Sequence, residues 1–389
     1  MSIAKEHIYL DNAATTKIHP KVFEKMLPYL NEFFGNPSSI HSFGRKTRVA
    51  LEESREVVAD FVNAEPSEIY FCGTGTESIN FILHGISFAS QAETSKRTLF
   101  SSSIEHHAVL ESFKSICENG YTTQSVSVND SYQIDFEELK QFVDSDVLLG
   151  SIMNVNNETG SIQPINKIAE LLKESEIFFH TDAVQSFGKI EIDVKKIGVT
   201  ALSASSHKIY GPKGVGCAYV KSGTPLSPLI HGGSQERNRR GGTENIAGIV
   251  GFAEAVKIAK SEMKQNEEFV LKLKRNFIDG LNAIAGKNIL INSKENTSPY
   301  ILSVTFDPDF YKNDAESMLM FLDINGIAAS NGAACNSGTI KASHVILAGG
   351  KSESYANGTL RFSFAPYNTE EEITITLDVL QKMVDKFRK

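Results

Sequence analysis

The chain has 389 residues, 41% of them hydrophobic, and a formal net charge of -8 at pH 7. That length and apolar content suit two domains, each with its own core. The acidic balance, with no long basic run, argues against nucleic acid as a partner. The first residues, Met1-Ser2-Ile3-Ala4-Lys5-Glu6-His7, contain no apolar signal core, and no stretch is long enough to span a bilayer. Four scattered cysteines (Cys72, Cys117, Cys217, Cys335) form no C-x-x-C pair, so neither a metal site nor a disulfide framework is expected. A reducing, cytoplasmic setting fits this usage.

Short apolar runs alternate with amphipathic stretches through the first two thirds of the chain. Strands are expected at Glu68 to Cys72, Thr98 to Ser102, Val147 to Met153, Ile177 to Thr181, Ala201 to Ala204 and Val215 to Val220. Between them lie helical patterns. In Arg48 to Asn63, residues Ala50, Ser54, Val57, Val58 and Phe61 share one face, and others begin near Thr76, His106, Phe136 and Pro164. Such alternation implies a mostly parallel sheet covered on both faces. The last two strands are too close together for a crossover helix, so that pair is expected antiparallel. A long helix from Glu244 to about Asn282 then leaves this domain. Beyond it, strands at Ile289–Ile291, Tyr300–Phe306 and Thr359–Phe364, with helices near Ala315–Asn325 and from Thr369, suggest a smaller α/β domain. The segment between Asn331 and Gly358 is rich in Gly, Ser, Ala and Asn and reads as a functional loop.

Several strand ends carry chemistry. After the run Ile177-Phe178-Phe179 comes His180-Thr181-Asp182-Ala183-Val184-Gln185. The next strand leads into Ser205-Ser206-His207-Lys208-Ile209-Tyr210-Gly211-Pro212. An acid at one strand end and an amine just past the next suit pyridoxal phosphate, whose aldehyde is held as a Schiff base by lysine while an acid keeps the ring nitrogen protonated. The alternative is a solvated surface lysine, against which stand the small residues before Lys208 and the Gly and Pro after it. Gly73-Thr74-Gly75-Thr76 opens a helix and suits a phosphate, or is a plain turn with a Thr cap. In Glu105-His106-His107 an imidazole at a strand end can stack on a flat ring and move protons, and spacing does not choose between the two histidines. Asn156-Asn157-Glu158 offers an amide to a cofactor or forms a turn. The loop His231 to Asn245, with its arginines and Thr243, binds an anion, meets another subunit or is simply mobile. Cys335, among small residues, is the thiol expected to be exposed, whereas Cys72, Cys117 and Cys217 lie in or beside apolar patterns. Arg361, on an apolar strand, needs a carboxylate from a substrate or from a structural Asp or Glu.

Taken in order, these motifs resemble cysteine desulfurases of the NifS and IscS type, pyridoxal-phosphate enzymes of fold type I in aminotransferase class V. The resemblance runs from Tyr9-Leu10-Asp11-Asn12-Ala13-Ala14-Thr15-Thr16 and Gly35-Asn36-Pro37-Ser38 to Arg361-Phe362-Ser363. It implies an α/β fold with a mainly parallel seven-stranded sheet in a large domain (16–260). A small α/β domain is implied from 1–15 and 261–389, carrying a mobile cysteine loop at about 331–358. By position, Lys208 is implied as the Schiff-base lysine, Asp182 as the partner of the ring nitrogen and Gln185 as a contact of the phenolic oxygen. The resemblance gives His106 the role of stacking and shuttling protons, Asn157 a place near the ring substituents, and Gly75, Thr76, Ser205 and His207 the phosphate. Thr243 is implied to come from the second subunit of a homodimer, Asn12 and Arg361 to grip the substrate carboxylate, and Cys335 to take the sulfur as a persulfide. The implied reaction converts L-cysteine to L-alanine and passes sulfur to an iron–sulfur scaffold or another acceptor. An aminotransferase, a selenocysteine lyase or a cofactor-free scaffold binding a sulfur carrier are the alternatives. Around the cysteine this chain has Ala334 and Asn336 where the family usually reads Gly-Ser-Ala-Cys-Thr-Ser, and Pro366 stands where many relatives have a basic residue.

Overall fold

A computed structural model describes residues 7–143, 146–332 and 342–389. Its strands are β1 (Ile8–Tyr9), β2 (Ile69–Cys72), β3 (Thr98–Ser102), β4 (Thr122–Val126), β5 (Val147–Ser151), β6 (Phe178–Asp182), β7 (Ala201–Ser205), β8 (Gly216–Val220), β9 (Ile289–Ile291), β10 (Ile301–Phe306), β11 (Ile327–Ala328) and β12 (Thr359–Ser363). Seven of them form one sheet in the order β2-β8-β7-β6-β5-β3-β4. Strands β4, β3, β5, β6 and β7 run parallel, whereas β8 is antiparallel to both β7 and β2. Two reversals leave β2 pointing the same way as β7. The carboxyl ends of β2, β3, β5, β6 and β7 therefore open on one edge, which is where open α/β sheets bind ligands.

The antiparallel β7–β8 pair matches the expectation from the short connection. β3, β5, β7 and β8 are buried along their whole length, which explains why they read as unbroken apolar or small-residue runs. β4 was not legible. Its residues Thr-Thr-Gln-Ser-Val pair on one side only, and four of the five remain at least partly exposed, so no apolar run is required of it. A helix at Pro20–Asn31 was also missed, and the next one begins at Ser42, six residues before the apolar pattern becomes regular.

A second sheet, β12-β10-β9, is antiparallel. The helix Ile246–Ala285 serves both cores. Its buried residues Ile246 to Val256 join the cluster beneath the large sheet, and Val270 to Ala285 pack with β10 and β12. Ile8, Leu10 and Ala13 belong to that second cluster, and β1 pairs in parallel with β11. The last helix, Glu370–Phe387, starts at a capping box of Thr369 and Glu372.

The expected loop at about 331–358 is shorter than the composition implied. Residues from Ala342 onward carry the helices His344–Ala348 and Glu353–Ala356. Val345, Ile346 and Ala356 pack with Ile104 and Tyr132. Gly349 permits this, because a Cβ there would stand 2.2 Å from the Tyr132 ring. Such short helices hold too few turns to reveal a period in sequence. Among the described residues no helix is long and apolar enough to cross a membrane.

Candidate active site

The strand ends enclose a cavity of about 420 Å³. From β7, the backbone enters a single 3₁₀ turn, Ser206–Lys208, which carries Lys208 to the cavity wall. Its Nζ donates to the carbonyls of Ala13 (2.6 Å) and Ala14 (2.8 Å). Burial pulls its pKa down to about 8, helped by the charge of Arg361 and opposed by Asp182 and Asp11. The amine is thus partly neutral near physiological pH, as a nucleophile must be.

Asp182 ends β6. One of its oxygens accepts from the Val184 N–H (2.8 Å), and burial raises its carboxyl to about 6, with that hydrogen bond and Lys208 acting the other way. Gln185, one turn on, donates to the Ala13 carbonyl (2.9 Å) while its Oε1 is buried without a partner. His180, two residues before Asp182, faces the sheet interior. Its ring nitrogens meet the hydroxyls of Ser151 (2.8 Å) and Ser203 (3.2 Å), and burial pushes its pKa to about 3. It is a neutral core histidine.

β2 leads into the helix Gly75–Ser90. Thr74 caps it by accepting from Glu77 N (3.0 Å), which among the described residues leaves the Gly75 and Thr76 N–H groups without acceptors at the positive end of the helix. A Cβ on Gly75 would come within 2.9 Å of Val184 and 3.2 Å of Ser205, so only glycine lets these elements close. The Ser205 hydroxyl is buried and unpartnered, and His207 meets Thr15 Oγ1 at 3.1 Å. Free N–H groups, an orphaned hydroxyl and a nearby lysine are a donor set for a phosphate. Together with the buried acid and the reactive amine, they fit pyridoxal phosphate.

His106 caps the helix His107–Cys117, its Nδ1 accepting from Ala108 N (3.0 Å). Burial and the charges of Lys208, His107 and His344 lower its pKa to about 4. The ring is neutral, and with Nδ1 engaged its proton sits on Nε2. The sequence suggested a base poised near neutrality. The cavity instead holds a hydrogen-bond donor.

The turn after β5 is built by Asn156, whose Oδ1 accepts from Glu158 N and Thr159 N (2.9 and 2.8 Å). Asn157 is thereby delivered to the cavity wall, and the turn reading of the Asn-Asn pair holds for Asn156. Arg361 on β12 projects into the same cavity, 4% exposed. Its Nη1 donates to the Asn157 carbonyl (2.8 Å), its Nη2 pairs with Asp11 (2.8 Å), and among the described residues its Nε has no partner.

Asn12 is not brought in, and Thr243, expected from a second subunit, lies away from its own chain's cavity. Asn12 spends its amide on the Ser363 carbonyl (2.8 Å), the Tyr9 carbonyl and Asn368, tying the N-terminal segment to β12. Thr243 lies in a different cleft, beside Cys72, Arg240 and Glu244. The arginines before it are engaged. Arg237 lies over the Tyr70 ring (4.5 Å), Arg239 donates to the Leu226 carbonyl, and Arg240 pairs with Glu77 (2.8 Å). Glu236 is held by Arg55 in a buried bidentate pair (2.7 and 2.8 Å). Within its own chain this loop braces the β2 turn. Cys335 lies outside the described residues.

Sequence reasoning missed Asp11, Glu158 and His344. Glu158 is buried, bonded by Ser343 Oγ (2.5 Å), and raised in pKa by that burial. His344 stands 5.0 Å from His107, ring to ring. Asp11 and Glu158 adjoin motifs already noticed, whereas His344 gave no signal.

Residues 8–375 match the aminotransferase class-V family. The chain belongs to that family. Pyridoxal phosphate is the family's cofactor. The cysteine desulfurase IscS of Dictyoglomus turgidum is 42% identical over 384 residues, covering 99% of this chain and 96% of that protein. Among solved structures, a NifS-like protein superposes with a TM-score of 0.91 at 37% identity, over 98% of this chain and 100% of the other. SspA in complex with cysteine gives 0.82 at 35%, over 93% and 100%. These likenesses carry fold type I, as the resemblance implied.

Proposed function

We propose that the protein is a cysteine desulfurase, converting L-cysteine to L-alanine and leaving the sulfur as a persulfide on Cys335. The observation that carries this reading is the meeting of Lys208, Asp182 and Arg361 in one cavity. An amine, an acid and a guanidinium there match the aldehyde, the ring nitrogen and the carboxylate of an amino-acid reaction.

Held at Lys208, pyridoxal phosphate supplies an electron sink that stabilises negative charge beside the amino acid's nitrogen. Gly75 and Thr76 N–H, Ser205 Oγ and His207 would hold the phosphate, and Gln185 and Asn157 would hold the ring substituents. Asp182 holds the proton at the ring nitrogen. Arg361 receives the substrate carboxylate, with Asp11 orienting the guanidinium. Lys208, once free, takes the proton from the substrate's α-carbon, a task its lowered pKa suits. His106 offers its Nε2–H to atoms that gain negative charge. The Cys335 thiolate attacks the substrate sulfur. A sulfur–sulfur bond forms and the carbon–sulfur bond breaks, with its electron pair left on carbon. The hydrogen gained by the alanine methyl is balanced by the one lost from the thiol.

The proposal includes the domain division at 16–260 and 1–15 with 261–389, a cytoplasmic setting, and a homodimer in which Thr243 reaches the partner's phosphate site. Phe23, Leu27, Leu30, Phe34 and Phe43 stay exposed in the single chain, and a second copy would cover them. Iron–sulfur assembly or another sulfur acceptor is the proposed destination. The test is to incubate the purified protein with L-cysteine and measure alanine and sulfide. Cys335→Ser should keep the bound cofactor's absorbance yet release no sulfur. Sulfur release at the parent rate would replace this reading with a lyase.

A further inference from the structure

A second cavity, of about 320 Å³, is walled by continuations of the two segments that build the first. Lys189 follows Gln185 by four residues and Tyr210 follows Lys208 by two. Both side chains line this second space, which no step of the desulfurase reaction uses.

Lys189 is 5% exposed. Among the described residues its ammonium has no hydrogen bond and no ion pair, and the contact it does make is with the face of Tyr300, 5.3 Å from the ring centroid. The Tyr210 hydroxyl is likewise buried without a partner. Burial, with the charges of Lys208 and Arg361, lowers the Lys189 pKa to about 7, so its amine holds a full charge only when an acceptor sits beside it, and a buried phenol is likewise costly to leave unpaired. An acceptor in the cavity can take a hydrogen bond from each.

The walls narrow the choice. Tyr300 and Tyr367 offer aromatic faces, the Tyr367 ring standing edge-on to Tyr210 at 5.1 Å. Glu262 also lines the cavity but does not pair with Lys189, and its carboxylate accepts only a long bond from Asn266 (3.5 Å). A single cation with a carboxylate nearby suits a ligand of one negative charge and repels a dianion such as phosphate. The volume admits a ligand of several heavy atoms with a short apolar body. We propose that this cavity binds a small carboxylate anion, with Lys189 and Tyr210 as its donors.

Radiolabelled acetate in equilibrium dialysis against the holoenzyme tests this. The wild-type chain should show two classes of site, one at Arg361 and one here. Lys189→Met should lose the second class and keep the first. Tyr210→Phe should weaken that class by roughly 10- to 150-fold, the value of one hydrogen bond to a charged group. Glu262→Gln should strengthen it, because a repelling charge is removed. A folded Lys189→Met protein that retains its cofactor and binds acetate with unchanged stoichiometry overturns the proposal. So does unchanged affinity in Tyr210→Phe, which deletes one oxygen and decides the matter alone if Lys189→Met does not fold. Weaker binding in Glu262→Gln would also count against it, since it would mean that Glu262 helps to hold the ligand.

Discussion

Arg361 separates two accounts of the same geometry. It is an ion-pair partner that only ties β12 to Asp11, or it is the grip on the substrate's carboxylate with Asp11 as its steadying contact. Arg361→Lys keeps the charge but removes the planar fork. If the guanidinium binds substrate, the variant loses at least one charge-assisted hydrogen bond. That is about 1.5–3 kcal/mol, or roughly 10- to 150-fold in kcat/KM at about 1.4 kcal/mol per tenfold. Most of it should appear in KM, because the carboxylate is held equally in the ground state and the transition state. Initial rates of alanine formation across a range of L-cysteine concentrations give the split. Asp11→Asn is the control. It removes the pair at 2.8 Å but leaves the Asn157 carbonyl to hold Nη1, so its effect on KM should be the smaller. An Arg361→Lys enzyme with wild-type KM, destabilised no more than Asp11→Asn, would refute the substrate role and leave the structural pair.

Arg55→Met should destabilise the fold by about 3–5 kcal/mol in urea unfolding, because it strands the Glu236 carboxylate inside the protein. Most of that loss should return in the double variant with Glu236→Gln, which still accepts from Phe71 N; equal stability of the single and double variants would be the contrary result. The rate at which apoprotein takes up pyridoxal phosphate should rise with pH through about 8. Burial depresses the Lys208 pKa to that value, so the reactive neutral amine gains population above it; a profile flat from pH 7 to pH 9 would point to another group. Cys72 and Cys217 should resist iodoacetamide in the folded protein, since burial raises both thiols, Cys217 to about 12. Mass spectrometry finding them alkylated as fast as the less buried Cys117 would contradict that.

What the sequence disclosed follows from which forces are local. Parallel strands buried on both faces must be continuous runs of apolar or small residues, and the chemistry of this fold sits where those runs end. Lys208, Asp182, Gly75, Asn157 and His106 were therefore legible as residues following a strand. Arg361 was legible for the opposite reason, as a charge where the strand should have none. β4 was not, because an edge strand half open to water may be built of Thr, Gln and Ser. Nor could spacing show that Asp11, 350 positions away, would meet Arg361, or that His344 would come up against His107. Those contacts exist only once the two cores have closed.

His106 shows the same limit at the scale of one ring. Its place after β3 marked it as a proton carrier, but its protonation state depends on contacts beyond its own segment. The helix cap occupies Nδ1, and burial, helped by the charge of Lys208, disfavours a second proton on the ring. A residue legible as an acid–base group is thereby held neutral, with Nε2 fixed as a donor. The work of a base falls instead to the lysine whose own pKa burial, helped by Arg361, has lowered. Arg361 weakens Lys208 as a base, and Lys208 weakens His106 as a base. In this cavity the order of proton affinities is set first by burial and then by the packing of charges against one another, which no single motif encodes.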